Sequence, residues 1–362
     1  MTFRLTIDEP RWDESVRQAT QHYPGVVPVI KGNGYGFGRG RLAALSARLG
    51  VDTVAVGTEA EAASVRMEFA GSIVVLEPLT LAELRRPSAQ ASYLIRTVAH
   101  AEVVRQLAQP GSPSPEVILE LDSPVHRHGV PLSELPLLAA PLRELRLAGV
   151  AMHLPSEGDR HRVLESVYQA LAALRKAGIV AGTFWVSHLT PPEQAEIQAA
   201  EPGLRIRPRV GTNLWLADRQ AFTVTGTVLD VRQAPHGQAV GYRQRRVSGG
   251  CLVVVSGGTA HGVGLYSISA RGGWAGVLKN AALGAARGAG WSPSPFSWAG
   301  HRLHFADVAH MQVSMLVVPA GVAPPRVGDE LTCDVRMTVS TFDEVGLGSS
   351  ARGRAARFPL AS

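Results

Sequence analysis

The run Val26-Val27-Pro28-Val29-Ile30 ends at Lys31 and passes directly into Gly32-Asn33-Gly34-Tyr35-Gly36-Phe37-Gly38. The apolar residues read as a buried strand, and the glycines behind it suit close approach of backbone to a ligand. Of the 36 basic residues only Lys31, Lys176 and Lys279 are lysines; all others are arginine. A guanidinium cannot shed its proton and act as a nucleophile, so a lysine kept at the end of a buried strand points to amine chemistry. The plain alternative for Lys31 taken alone is a salt-bridged surface residue beside a turn.

Working outward from this strand, short apolar runs alternate with amphipathic stretches. Strands are expected at 26–30, 53–56, 73–76, 92–98, 117–121, 145–152, 184–186 and 205–209. Helices are expected at 39–49, 59–69, 81–86, 99–108, 131–139, 159–177 and 192–200. Such alternation implies a parallel α/β domain, and eight strands imply a closed (β/α)8 barrel of the TIM type; an open doubly wound sheet is the alternative. No dinucleotide fingerprint follows any strand. Beyond residue 220 long helices give way to β-rich segments at 224–231, 251–256, 306–317 and 330–339, separated by Gly/Pro clusters. The expected division is therefore a barrel over 1–220 and a mainly β domain over 221–362. The stretch 272–295 resists assignment, and the tail 349–362 is arginine-rich.

Composition narrows the class further. The chain has 362 residues, 45% hydrophobic and 18% charged, with a formal net charge of +6. Its basic residues are scattered without interleaved aromatics, so nucleic acid is not an expected partner. No apolar stretch approaches the ~20 residues of a membrane span. Cys251 and Cys333 lack metal-ligand spacing and a disulfide framework, which suggests a reducing cytoplasm, and charges at Arg4, Asp8 and Glu9 argue against a signal peptide.

In a βα barrel, ligands bind where the strands end. Lys31 and Tyr35 follow the first strand; Glu120, Asp122 and Arg127 follow the fifth; His153, His188 and Arg209 end the sixth, seventh and eighth. Gly211-Thr212-Asn213 offers backbone N–H groups suited to a phosphate. Taken singly, each histidine reads as well as a structural residue and Arg209 as a surface arginine. Their convergence on one face carries the functional reading.

These motifs resemble those of alanine racemases. Pro28-Val29-Ile30-Lys31-Gly32-Asn33-Gly34-Tyr35-Gly36-Phe37-Gly38 is similar to the family's V-V-K-A-N-A-Y-G-H-G. Leu119-Glu120-Leu121-Asp122-Ser123-Pro124-Val125-His126-Arg127-His128-Gly129 is similar to K-V-D-T-G-M-x-R-x-G. Leu147 to Leu154, Arg209 to Trp215, Val240-Gly241-Tyr242 and Val327-Gly328-Asp329-Glu330 follow other family segments in order. The resemblance implies a fold-type III enzyme using pyridoxal 5′-phosphate, bound covalently by Lys31, which also serves as one proton-transfer base. Tyr242 would be the second base, supplied across a homodimer interface, with His153 beside the cofactor. Arg209 would face the pyridine nitrogen, and Arg127 the cofactor's 3-hydroxyl and the substrate carboxylate. Tyr35, Gly211 and Thr212 would hold the phosphate, Thr190 would supply a further hydroxyl, and Met311 would border the substrate.

The C-terminal domain departs from the family pattern. Glu120 stands where a carbamoylated lysine orients an arginine. Gly257-Gly258-Thr259-Ala260-His261-Gly262 lacks the gate tyrosine, and His310-Met311-Gln312 lacks an aspartate. No tyrosine follows Tyr266. An amino-acid racemase with a substrate other than alanine is therefore one expectation. Another fold-type III enzyme (a D-amino-acid aldolase or dehydratase, or a decarboxylase) and a non-catalytic cofactor-binding relative are the others.

Overall fold

The computed structural model describes residues 2–85, 92–247, 249–265 and 293–348, so most of the unassigned stretch 272–295 and the whole arginine-rich tail lie outside the described residues. The chain forms two compact units, residues 13–217 and residues 1–12 with 218–362. The expected division places 1–220 together. The difference lies in the first strand, β1 (Phe3–Ile7), followed by α1 (Glu9–His22). In β1, Phe3, Leu5 and Ile7 are fully buried while Arg4 and Thr6 face outward.

The unit 13–217 holds β2 (Val27–Pro28), α2 (Arg39–Arg48), β3 (Thr53–Val56), α3 (Glu59–Arg66), β4 (Ser72–Pro78), β5 (Leu94–Val98), α4 (Ala101–Leu107), β6 (Glu116–Glu120), α5 (Leu135–Arg143), β7 (Arg146–His153), α6 (Arg160–Lys176), β8 (Thr183–Ser187), α7 (Pro191–Ala200), β9 (Arg205–Val210) and α8 (Thr212–Trp215). Its strands run in the order β2-β9-β8-β7-β6-β5-β4-β3, and a parallel bridge between Val29 and Ala55 joins the ends. Pro28 has no N–H to extend the ladder. The next two amides complete the closure instead: Val29 N–H donates to Val210 at 2.9 Å and Ile30 N–H to Ala55 at 2.6 Å. Val27, Val29, Ala55, Val74, Ile95, Ile118, Ala151 and Trp185 pack into one interior cluster. The alternate strand residues, Leu119, Val150 and Val186 among them, pack against Leu138, Val167 and Leu171 of the helices. Each such side chain contributes ~1.5–3 kcal/mol when fully buried. The closed (β/α)8 barrel is thus established, with every strand end within two residues of expectation.

Asp52, just before β3, holds the buried Arg207 (Nη1 to Oδ2, 3.0 Å) and also Arg205 at 3.2 Å. The hydrogen bond from Arg207 brings its carboxyl down to about 2, against a smaller opposing effect of burial. A depressed folded-state pKa means stability that is present above the unfolded value (~3.9) and lost as pH falls through the folded one. Urea unfolding should show Asp52→Asn less stable than the parent at neutral pH, with the gap closing between about pH 4 and pH 2.

In the other unit, β10 (Phe222–Ala234), β11 (Ala239–Val240), β12 (Arg245–Arg246), β13 (Gly250–Ser256), β14 (Pro293–Trp298), β15 (His301–Phe305), β16 (Val313–Val318), β17 (Glu330–Cys333) and β18 (Glu344–Leu347) follow in order. The long β10 pairs with β1 and β17 through its first half and with β13 through its second, the register shifting between Val228 and Asp230. Since β13 also pairs with β16, the order β13-β16-β15-β14-β17-β10 closes on itself, and β1 and β18 extend it. Several expectations differ in detail from what is found. Of the helix expected at 81–86, the described residues 81–85 hold a single 3-10 turn at Glu83–Arg85. Strand structure within 306–317 is confined to β16, because residues 306–312 fold around the buried Asp307. Residues 330–339 leave the sheet at Cys333 and turn, with Val339 and Ser340 N–H bonding back to Arg336.

Candidate active site

Lys31 leaves the end of β2, and its loop is pinned from α3. Thr58 and Glu61 form a capping box opening α3, and the Glu61 carboxylate accepts the N–H of Gly32 and of Gly57, both at 2.8 Å. Glu61 did not emerge from the sequence reading, although Thr-x-x-Glu before a helix is a visible signal. Burial, then the charge of Arg127, pushes the Lys31 amine below its ordinary pKa; Arg209 adds to this and Glu61 opposes it. An amine so placed is neutral, and therefore nucleophilic, at lower pH than an ordinary lysine.

Arg209 ends β9 almost wholly enclosed, at 3% side-chain exposure against 2% for Glu120. Its Nη1 donates to Glu120 Oε2 at 3.0 Å, and its Nη2 to Glu120 Oε1 at 3.3 Å and to Met152 O at 3.0 Å. Its Nε is buried without a hydrogen-bond partner among the described residues. The fork is therefore fixed by β6 and β7, with one nitrogen, Nε, left unpaired. The arginine oriented by Glu120 is Arg209. Arg127 sits exposed in the loop 121–130, which closes through Asp122 N–H to Val130 O and Val130 N–H to Glu120 O, both 2.9 Å.

Tyr35 is buried, and burial pushes its phenol up to about 12. Its hydroxyl lies against Gly211, where any Cβ would overlap it, so backbone and phenol meet at the turn entering α8. Thr212 is exposed on that turn. The rings of His153 and His188 meet edge-on at 5.1 Å. Burial, then Arg209 and Arg127, brings His153 down to about 3, so it is a neutral imidazole across the physiological range. Thr190 caps α7: its hydroxyl accepts Glu193 N–H at 3.5 Å while its own N–H donates to Glu193 Oε2 at 2.7 Å. Arg160 locks that carboxylate in turn and reaches His188 O at 2.9 Å.

All the barrel residues singled out from the sequence thus lie at or beyond the C-terminal strand ends of one barrel. After burial, the charges of Arg127 and Arg209 both act to lower the pKa of Lys31, His153 and His188, so these side chains lie within electrostatic reach of one another. Tyr242 and Met311 belong to the β unit, both side chains open to solvent, at 85% and 71% exposure.

A lysine-bearing (β/α)8 barrel accompanied by an antiparallel β unit is the architecture of the alanine racemases. The profile for "Alanine racemase, N-terminal domain" matches residues 7–187, half of the chain, and the protein belongs to that family. Solved structures agree in fold. Alanine racemase from Bartonella henselae, with covalently bound pyridoxal phosphate, superposes with a TM-score of 0.72 at 16% identity, covering 96% of this chain and 100% of that one. The enzyme from E. faecalis gives 0.70 at 19%, covering 96% and 98%. The biosynthetic alanine racemase from Pseudomonas aeruginosa gives 0.67 at 20%, covering 93% and 91%. Comparison with curated proteins gives no match.

Proposed function

We propose that the protein is a pyridoxal 5′-phosphate-dependent amino-acid racemase, interconverting L- and D-amino acids by proton transfer at two bases. The observation that carries this reading is the arrangement of Lys31 and Arg209: a partly desolvated amine beside a rigid, buried guanidinium with an unpaired Nε. These groups fit the cofactor. Lys31 would hold its aldehyde carbon, Arg209 Nε its pyridine nitrogen, and Tyr35 with the Gly211–Thr212 turn its phosphate. When bound, the cofactor supplies an electron sink for the α-carbon's electron pair. A guanidinium at Arg209 would offer that nitrogen a hydrogen bond without giving up a proton, which would restrain the sink and disfavour side reactions. Arg127 would engage the substrate carboxylate. Lys31 would exchange the α-proton on one face, and Tyr242, from a second copy of the chain, on the other.

The β unit favours a substrate larger than alanine. Where the family pattern has a gate tyrosine, this chain has Thr259. The neighbouring His261 is buried, packing on Phe3 at 5.2 Å and meeting Asp343 at 3.2 Å, so it takes a structural place rather than the tyrosine's. Two free, buried cysteines suit the proposed cytoplasmic location.

The test follows α-proton exchange from deuterated water into a panel of L- and D-amino acids. Tyr242→Phe is expected to lower net inversion about 10²–10⁴-fold, the usual range for a general acid–base group. The equilibrium constant ties the two directions together, so inversion falls equally in both. Exchange without inversion should nevertheless survive for the enantiomer whose proton faces Lys31. Failure of every amino acid in the panel to invert in the parent protein would defeat the proposal.

A further inference from the structure

Tyr242 lies in a turn spanning 241–244, and that turn is built around a buried charge. Gly241 has φ +71, and a Cβ there would collide with the Asp307 carboxylate, so only glycine allows the approach. Asp307 is completely buried between β15 and β16. Its Oδ2 accepts Tyr242 N–H at 2.7 Å and its Oδ1 accepts Val308 N–H at 2.9 Å. Burial alone would raise this carboxyl. The N–H groups of Val308, Tyr242 and Arg243, with His310 nearby, outweigh it and hold the pKa below the ordinary value.

The ring of Tyr242 is supported from the same loop. His310 lies beneath it, centroids 4.7 Å apart and planes tilted by 44°. His310 Nε2 is 3.9 Å from Asp307 Oδ2 and has no hydrogen-bond partner among the described residues. The backbone of His310 is held at both ends, its N–H on Val313 O at 2.9 Å and its carbonyl accepting Thr259 N–H at 2.8 Å. A tyrosine on a free turn would sample many positions, and misplacement by an ångström can cost a reaction ~10²-fold. Here the main chain and one ring face are fixed while most of the side chain stays open.

We infer that Asp307 and His310 are positioning residues that seat Tyr242 for proton transfer, an assignment that rests on Tyr242 being the second base. The test compares Asp307→Asn, His310→Ala and Tyr242→Phe as holoenzymes, with two readouts. Amide hydrogen exchange over residues 241–244 should quicken about tenfold or more in Asp307→Asn, since a hydrogen bond to a charged acceptor is lost. In both seat variants, α-proton exchange with alanine, serine, glutamate and lysine should fall about 10–100-fold for the enantiomer that depends on Tyr242, and stay within about twofold for its mirror image. A general loosening of the β unit would depress both enantiomers together. Unchanged amide exchange in Asp307→Asn, or equal loss on both enantiomers, overturns the inference. Retained exchange on both enantiomers in Tyr242→Phe overturns the reading of Tyr242 itself, while the amide exchange still reports whether the seat exists.

Discussion

Replacing Lys31 with alanine is expected to abolish the long-wavelength absorption that the protein acquires on loading with pyridoxal phosphate, and racemisation with it. The amine is proposed both to hold the cofactor covalently and to act as a base. Its loss removes a nucleophile and a proton carrier at once, and the fall should exceed the ~10²–10⁴-fold of a general acid–base group alone. Lys176 is exposed at the end of α6, away from the strand ends, so Lys176→Ala should keep the band and serve as control. The depressed pKa of Lys31 adds a pH signature. Only the neutral amine attacks an aldehyde, so the rate of loading should level off at a lower pH than for an ordinary lysine, whose pKa is 10.5. A full-strength band in Lys31→Ala, stable to dialysis, would remove the basis of the proposed function.

The barrel was legible because its information is local. A strand buried on both faces is a run of apolar residues, and a covering helix shows its stripe within a dozen positions, as 53–56 and 159–177 do. β1 carries an equally clear alternation in Phe3-Arg4-Leu5-Thr6-Ile7, but its partners lie at 222–226 and 344–347, beyond any local pattern. Single residues at strand ends were legible for a related reason: Lys31 and His153 each close an apolar run, and Arg209 ends the short strand 205–209. Asp307 was not, and Glu61 was legible only as a helix-capping residue, since each holds its loop by accepting main-chain N–H groups, from Gly32 and Gly57 in one case and Tyr242 and Val308 in the other. Such bonds leave no mark on the partner's side-chain identity. Glu120 stood between the two cases. Its type was readable as a carboxylate that orients an arginine, but the choice of Arg209 depends on β6 and β9 facing each other across the barrel interior.

That choice leads to the largest expected effect on stability. Glu120→Leu should lower the unfolding free energy by about 3–5 kcal/mol, because it leaves the Arg209 guanidinium buried without its counter-charge. Against the ~5–15 kcal/mol of a typical domain this is a large fraction, readable in a urea titration. Arg209→Leu should cost a similar amount by stranding the Glu120 carboxylate. The double variant Glu120→Leu, Arg209→Leu strands neither, and replacing a buried ion pair by apolar groups of similar volume is often close to neutral or better. It should recover most of the stability lost in the single variants, giving a strongly favourable coupling in the double-mutant cycle. Function should follow the opposite course. The double variant has no guanidinium for the pyridine nitrogen, so cofactor affinity and inversion stay low although the barrel is sound. Recovery of activity along with stability would show the pair to be a structural element of the barrel and not part of the cofactor site. Recovery of stability alone would assign the Arg209 guanidinium to the cofactor site rather than to the stability of the barrel.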